Sequence, residues 1–102
     1  MHSADKLGRT PLHMAARAGN VTAMRFILEN CEDTSILSLR TIGGDTPLMC
    51  AAEQGSIDNI EMLIQVGSDA LLKNYQGKTA DQLAANDEVR VHLTLFYLGL
   101  RR

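Results

Sequence analysis

No run of about 18 apolar residues occurs in the 102-residue sequence, so nothing in it is long enough to read as a membrane-spanning helix. Met1 to Gly8 also lacks the long apolar core of a secretory signal, and an intracellular location, cytoplasmic or nuclear, is the expectation. An excess of one charge is missing too: ten Lys and Arg against twelve Asp and Glu leave a formal charge of -2. That balance lacks the basic field on which non-specific nucleic-acid binding depends, and no nucleic-acid partner is expected. Only two cysteines are present, Cys31 and Cys50, with no second Cys pair and no His at ligand spacing from either. Zinc-type metal binding is therefore not expected, and both thiols read as small buried hydrophobes. Also absent are a Walker-type phosphate loop, a dinucleotide fingerprint and a His-Glu-x-x-His element; Gly43-Gly44 belongs to a turn. Asp58 and Glu61, one helical turn apart, read as a solvated helix face. Neither an enzyme nor a cofactor-binding protein is expected on these residues. What remains, at 45% hydrophobic and 22% charged, is the composition of a single soluble folded domain.

What is present in abundance is internal similarity. Gly8-Arg9-Thr10-Pro11-Leu12 returns as Gly44-Asp45-Thr46-Pro47-Leu48 at an offset of 36, with Ala15-Ala16 returning as Ala51-Ala52 and Gly19 as Gly55. A further step of 33 gives Gly77-Lys78-Thr79-Ala80 and Ala84-Ala85. The apolar positions follow: Val21, Met24, Ile27 and Leu28 match Ile57, Ile60, Leu63 and Ile64. A period of this length marks a stack of repeated units, here about 5–40, 41–73 and a degenerate 74–100.

Each unit decodes into the same parts. Thr10 and Thr46 stand as N-caps before a proline at the first helical position, where its missing N–H costs nothing. The Ala pairs allow close helix approach, and Gly19 and Gly55 suit left-handed C-caps. Asn20 and Ser56 stand as caps of a second helix with one apolar face. Turn residues such as Gly67-Ser68-Asp69 and Asn74-Tyr75-Gln76-Gly77 then reverse the chain and project a tight loop. The third unit is weaker, with Ala80 for the proline and no glycine after Ala84-Ala85, but still reads as a helix pair. Asn86 or Asp87 is placed to cap its last helix. Val89 to Leu100 alternates like a strand, but the order of the unit demands a helix there, with Val89, Leu93, Phe96 and Leu100 on one stripe and Val91, Leu95 and Leu98 on a second.

Thr10-Pro11-Leu12-His13-Met14-Ala15-Ala16 resembles the signature of the ankyrin repeat family, a unit of about 33 residues containing Thr-Pro-Leu-His-x-Ala. The resemblance runs in register over residues 5 to about 85. It implies an all-α solenoid of stacked helix-turn-helix units with short β-turn fingers and a concave face, and it gives His13 a structural role bonding the loop and the Thr hydroxyl. Met49 stands where the family has His, so the His-mediated bond between adjacent loops is expected to be missing there. The offset of 36 places three extra residues within Glu29 to Thr41, and the segment Thr34 to Leu39 departs from the family's short finger.

The resemblance also implies a function: a non-catalytic module that binds a partner protein through finger tips and concave helix face. Carried over by motif position, the partner-binding residues are Lys6, Leu7, Arg9, Arg17 and Ala18, then Ile42, Asp45, Glu53 and Gln54, then Tyr75, Gln76 and Lys78. Leu7, Ile42 and Tyr75 stand out as apolar or aromatic side chains on successive turns. The middle unit, 41–73, carries one basic and five acidic residues and favours a basic partner. The alternative function is a structural spacer or regulatory appendage of a larger protein, whether or not that protein is an enzyme. With no capping helix before Asp5, the outer side of the first unit is expected to be apolar, and together with the doubly apolar last helix this predicts self-association or packing of flanking repeats.

Overall fold

A computed structural model describes residues 5–31 and 34–97. In chain order the elements are α1 (Pro11–Ala18), α2 (Val21–Glu29), a 3-10 helix (Thr34–Ser38), α3 (Pro47–Gln54), α4 (Ile57–Gln65) and α5 (Asp87–Tyr97). Among the described residues there is no strand, and the fold is the all-α helical stack that the repeat predicts.

The starts and stops of α1 and α3 follow from their caps. Thr10 and Thr46 are extended, and the side chain of each accepts from the N–H three residues on, at His13 and Met49. Gly19 and Gly55 end these helices with φ of 68° and 83°, a region that is nearly free for glycine and strained for other residues. Both helices are thereby held to two turns, and the second helix starts at once. Asn20 caps α2 through Ala23 N–H at 3.0 Å, whereas the Ser56 hydroxyl makes no cap bond and only its carbonyl serves α4.

The helices form two rows, α1 against α3 and α2 against α4, with each pair also packed internally. Ala16, Ala51 and Ala52 are fully buried where the short helices meet, so their small side chains set the close approach. Leu12, Met24, Leu48, Ile60 and Leu63 fill the space between the rows. Burying each such side chain is favourable by roughly 1.5–3 kcal/mol. One polar group joins the rows: the fully buried Asn59 donates to the Ala15 carbonyl at 3.3 Å. The three extra residues lengthen the core, since the 3-10 helix buries Ile36 and Leu37 against α3 and leaves the following finger short.

The third unit corrects the expected helix pair. Its first helix is reduced to one turn, with Leu83 N–H donating to Thr79 and Ala80 carbonyls at 3.2 and 3.1 Å. Two competing bonds are the physical cause. The Thr79 hydroxyl donates to the Asp81 carboxylate instead of accepting from the N–H three residues on, and Ala85 N–H leaves the turn to donate to the Ala52 carbonyl on α3 at 2.9 Å. Helix α5 then forms as expected, capped by the Asn86 side chain on Val89 N–H at 3.0 Å. Val89 and Leu93 are buried, and His92, also buried, lies 3.1 Å from the Glu61 carboxylate of α4. Val91, of the second stripe, is exposed and Leu95 half-buried. Leu98, Leu100 and the side chain of Phe96 lie outside the described residues.

Candidate functional site

Three turns project from the same edge of the stack, and one design builds all three. In each, two backbone bonds close a tight hairpin: Asp5 with Arg9 and Gly8, Thr41 with Asp45 and Gly44, Asn74 with Lys78 and Gly77. The residue that opens each hairpin also accepts with its side chain. Asp5 Oδ1 takes Leu7 and Arg9 N–H at 2.9 Å, Thr41 Oγ1 takes Asp45 N–H at 3.2 Å, and Asn74 Oδ1 takes Gln76 and Lys78 N–H at 2.9 and 3.0 Å. These bonds from the Arg9 and Leu7 amides, with the Arg9 guanidinium alongside, hold the Asp5 carboxyl below its usual range. Asp5, Thr41 and Asn74 occupy one repeat position, and the sequence reading missed them because their residue types differ.

Successive fingers are tied to one another. Ile42 N–H donates to the Leu7 carbonyl at 2.8 Å and Tyr75 N–H to the Gly43 carbonyl at 3.1 Å. Leu7, Ile42 and Tyr75 thereby follow one another along the finger row, Ile42 at 70% and Tyr75 at 72% exposure. The Tyr75 ring lies so close over Gly44 that a Cβ there would sit 2.6–2.7 Å from Tyr75 atoms, and Gly44 has φ of 85°.

The fingers are anchored to the helices by two different devices. At the first junction, Thr10 N–H points at His13 Nδ1 (3.2 Å), which makes Nε2–H the donor to the Asp45 carbonyl at 2.9 Å. Burial lowers the pKa of this ring and keeps it neutral, as that bonding requires. At the second junction Met49 offers only its thioether, 3.5 Å from Thr46 N–H, and the ring's bond to the next finger is absent as expected. The junction is held nonetheless. Arg40 Nη1 donates to the carbonyls of Gly44 (2.8 Å) and Lys73 (2.6 Å), Asn74 Nδ2 donates to Asp45 Oδ1 at 3.1 Å, and the guanidinium sits 6.0 Å from the Tyr75 ring centroid. Arg40 lies outside the family's motif positions, so motif matching had no means of finding it.

Between the fingers and helices α1 and α3 runs a groove. One cavity of about 240 Å³ is lined by Arg17, Cys50, Glu53 and Gln54. A second, of about 250 Å³, shares Arg17 and Cys50 and is bounded by Leu7, Arg9, Ile42 and Asp45. Seven of the sequence-selected residues are thus brought around one groove. Lys6 and Ala18 are exposed beside it without lining it, and Tyr75, Gln76 and Lys78 extend the finger row beyond it. On the groove floor, burial first, then Asp45 and Glu53, push the Cys50 thiol up to about 12, so it stays protonated and unreactive. Burial, then Asp45, raises the Glu53 carboxyl. Among the described residues no group of three or more His, Cys, Asp or Glu side chains could hold a metal ion, and no helix is long and apolar enough to cross a membrane.

A sequence model described as ankyrin repeats in three copies matches residues 1–74. The chain belongs to the ankyrin repeat family. Its third unit lies almost wholly beyond the matched residues, in keeping with the helix lost there. Among curated ankyrin relatives, 80 residues are 32% identical to the transient receptor potential cation channel subfamily A member 1 of Homo sapiens, covering 78% of this chain and 7% of that protein. The E3 ubiquitin-protein ligase KEG of Arabidopsis thaliana is 32% identical over 91 residues, 89% of this chain and 5% of the ligase. The 26S proteasome non-ATPase regulatory subunit 10 of Dictyostelium discoideum is 32% identical over 65 residues, 64% of this chain and 27% of the subunit. The chain therefore spans a small part of the curated relatives it matches. Ankyrin repeats are in general protein-interaction modules, and these relatives carry them as segments of larger proteins.

Proposed function

We propose that the chain binds a partner protein through its finger row and the adjoining groove, without chemistry of its own. The observation that carries this reading is the row of Leu7, Ile42 and Tyr75, held in series by bonds between fingers yet left open to solvent. Exposed apolar side chains on a rigid backbone suit a protein interface, because little conformational entropy remains to be lost on binding. The groups with catalytic potential nearby are already committed: both His13 nitrogens serve the finger anchor, and the Cys50 thiol is held protonated. The test is an affinity capture from cell extract with the native chain beside a Leu7→Ala, Ile42→Ala, Tyr75→Ala variant, once circular dichroism shows equal helicity. A protein retained by the native chain alone supports the reading. Equal retention by both refutes the finger row as the binding surface.

A second reading, that the chain is a spacer segment within a longer array, is favoured by one specific contrast. Met14 is 45% exposed on α1, whereas Cys50, at the equivalent position of α3, is 5% exposed beneath the first unit. Phe26 is likewise exposed where its counterpart Met62 is half-buried. The open face matches one that the stack covers elsewhere, so it fits a further repeat packed in the same register. Sedimentation should show the native chain associating with concentration and a Met14→Gln, Phe26→Gln variant remaining monomeric; a native chain that stays monomeric removes the reading.

A further inference from the structure

Resting on the reading of the groove as a protein-binding site, the charges that line it narrow the chemistry of its occupant. Arg17 and Glu53 stand at the same repeat position, 36 residues apart, in the last turns of α1 and α3, and both line the first cavity. Asp45 lies at the finger side of the adjoining cavity. Among the described residues, neither Arg17 nor Glu53 is in an ion pair, whereas the charge of Arg9 is already met by Asp5 at 2.7 Å. The groove therefore presents a positive charge at the end of α1 and two negative charges, Glu53 at the end of α3 and Asp45 on the finger, with Arg17 and Glu53 acting on one another only through space. Desolvation and then Asp45 raise the Glu53 carboxyl while Arg17 offsets part of this, so a cation brought to that end of the groove acts in the same sense as Arg17.

The spacing selects a backbone conformation. Packed helices lie about 8–10 Å apart, so Arg17 and Glu53 repeat at roughly that distance along the groove. A polyproline-II segment turns once every three residues and rises about 9 Å in doing so, which returns every third side chain to the same face in step with the repeats. A β-strand returns its side chains every two residues, at about 6.6 Å, and falls out of step. The finger wall of the groove carries the apolar Leu7 and Ile42 among the polar Arg9, Thr41 and Asp45.

We propose that the groove takes an extended, polyproline-II-like segment of a partner protein, with an acidic side chain over Arg17, a basic side chain three residues away over Glu53 and Asp45, and an apolar residue between them against Leu7 and Ile42. Recognition is then by sign and spacing together.

The experiment is fluorescence anisotropy of the full 102-residue chain with dye-labelled nine-residue peptides that carry leucine and proline between two charged residues. One peptide has glutamate and lysine three residues apart; the others have two glutamates, two lysines, or glutamate and lysine two residues apart. The mixed peptide with three-residue spacing should bind about fivefold tighter than each of the others, a ratio appropriate to one or two partly exposed ion pairs. Arg17→Glu should shift the preference to the two-lysine peptide and Glu53→Lys to the two-glutamate peptide, with helicity unchanged by circular dichroism. Equal affinities, no measurable binding by any peptide, or a preference that does not move with the substitutions would overturn the proposal. If the peptides fail while the Leu7, Ile42, Tyr75 variant still loses its captured protein, only the groove chemistry falls. Failure of both removes the finger reading as well.

Discussion

Replacing His13 by methionine would copy the second junction of the stack into the first, and the consequences can be worked out bond by bond. Met49 shows that a thioether fits this buried position and still approaches the N-cap N–H at 3.5 Å. What His13→Met removes is the Nε2–H bond to the Asp45 carbonyl, the bond from the Thr10 hydroxyl to Nδ1 at 2.8 Å, and the better of the two contacts to Thr10 N–H. The Asp45 carbonyl keeps its bond from Thr41 N–H at 2.9 Å, so it is not orphaned. Two lost bonds and one weakened bond, at roughly 0.5–1.5 kcal/mol each with packing nearly conserved, amount to about 1.5–3 kcal/mol. In urea unfolding that lowers the midpoint by about 1–1.5 M at unchanged slope for a chain of this size. A pH series separates this account from a simple packing loss. The folded ring has its pKa lowered below the ordinary 6.5 by burial, so the unfolded chain binds the extra proton. The ring's contribution is therefore complete above the unfolded value and is lost as pH falls from 6.5 towards the folded pKa. The gap in stability between the native chain and His13→Met should be constant above neutrality and shrink on acidification through that window. A gap independent of pH would refute the neutral, bond-donating ring.

Three further expectations follow from particular contacts. Gly44→Ala should cost more than Gly77→Ala in thermal or urea unfolding: both have positive φ, a strain of about 1 kcal/mol for alanine, but only at Gly44 does the new Cβ meet Tyr75, at 2.6 Å, while Gly77 has nothing within 4 Å. Arg40→Ala removes both carbonyl bonds at the second junction and should destabilise by about 1–3 kcal/mol in urea unfolding, with Arg40→Lys recovering part of that loss. Cys50, its thiol pushed up to about 12, should resist iodoacetamide at pH 8 in the folded chain and react once urea unfolds it, as read by intact mass.

The helix starts and stops were legible because their signals are local. Thr10-Pro11 and Thr46-Pro47 specify an N-cap and first turn within a few residues, and Gly19 and Gly55 specify the end. Groove lining follows repeat register for a different reason: equivalent places in a repeat have equivalent exposure, so motif position brings four finger residues, Leu7, Arg9, Ile42 and Asp45, and three helix residues, Arg17, Glu53 and Gln54, around one groove. The errors came where an expected local bond lost to a competing partner, near or far in the sequence. Thr79 still occupies the capping position, but its hydroxyl turned to Asp81 and Ala85 N–H was drawn to Ala52, so the predicted helix stopped after one turn. Asn59 falls between Met62 and Leu63 around α4, and only the stacked neighbour supplies the Ala15 carbonyl that its Nδ2 meets, while its buried Oδ1 has no partner among the described residues. The segment Thr34 to Leu39 looked like an altered finger because its apolar pair, Ile36 and Leu37, had no visible destination until α3 was in place.

Asp45 is where stability and recognition meet. Its carbonyl receives His13, its carboxylate receives Asn74 of the next finger, and the same carboxylate borders the groove beside Glu53. A basic side chain arriving from a partner would meet the same carboxylate whose Oδ1 accepts from Asn74 Nδ2, so binding in the groove is coupled to the bond that ties the second finger to the third. Arg40 limits the effect, since its two carbonyl bonds hold that junction without Asp45. Weakening Arg40 should therefore make occupancy of the groove felt at Tyr75, while with Arg40 intact the finger row behaves as a rigid edge. The substitution of Met for His at position 49 thus does more than remove one bond: it transfers control of the second junction to polar groups that face the binding surface.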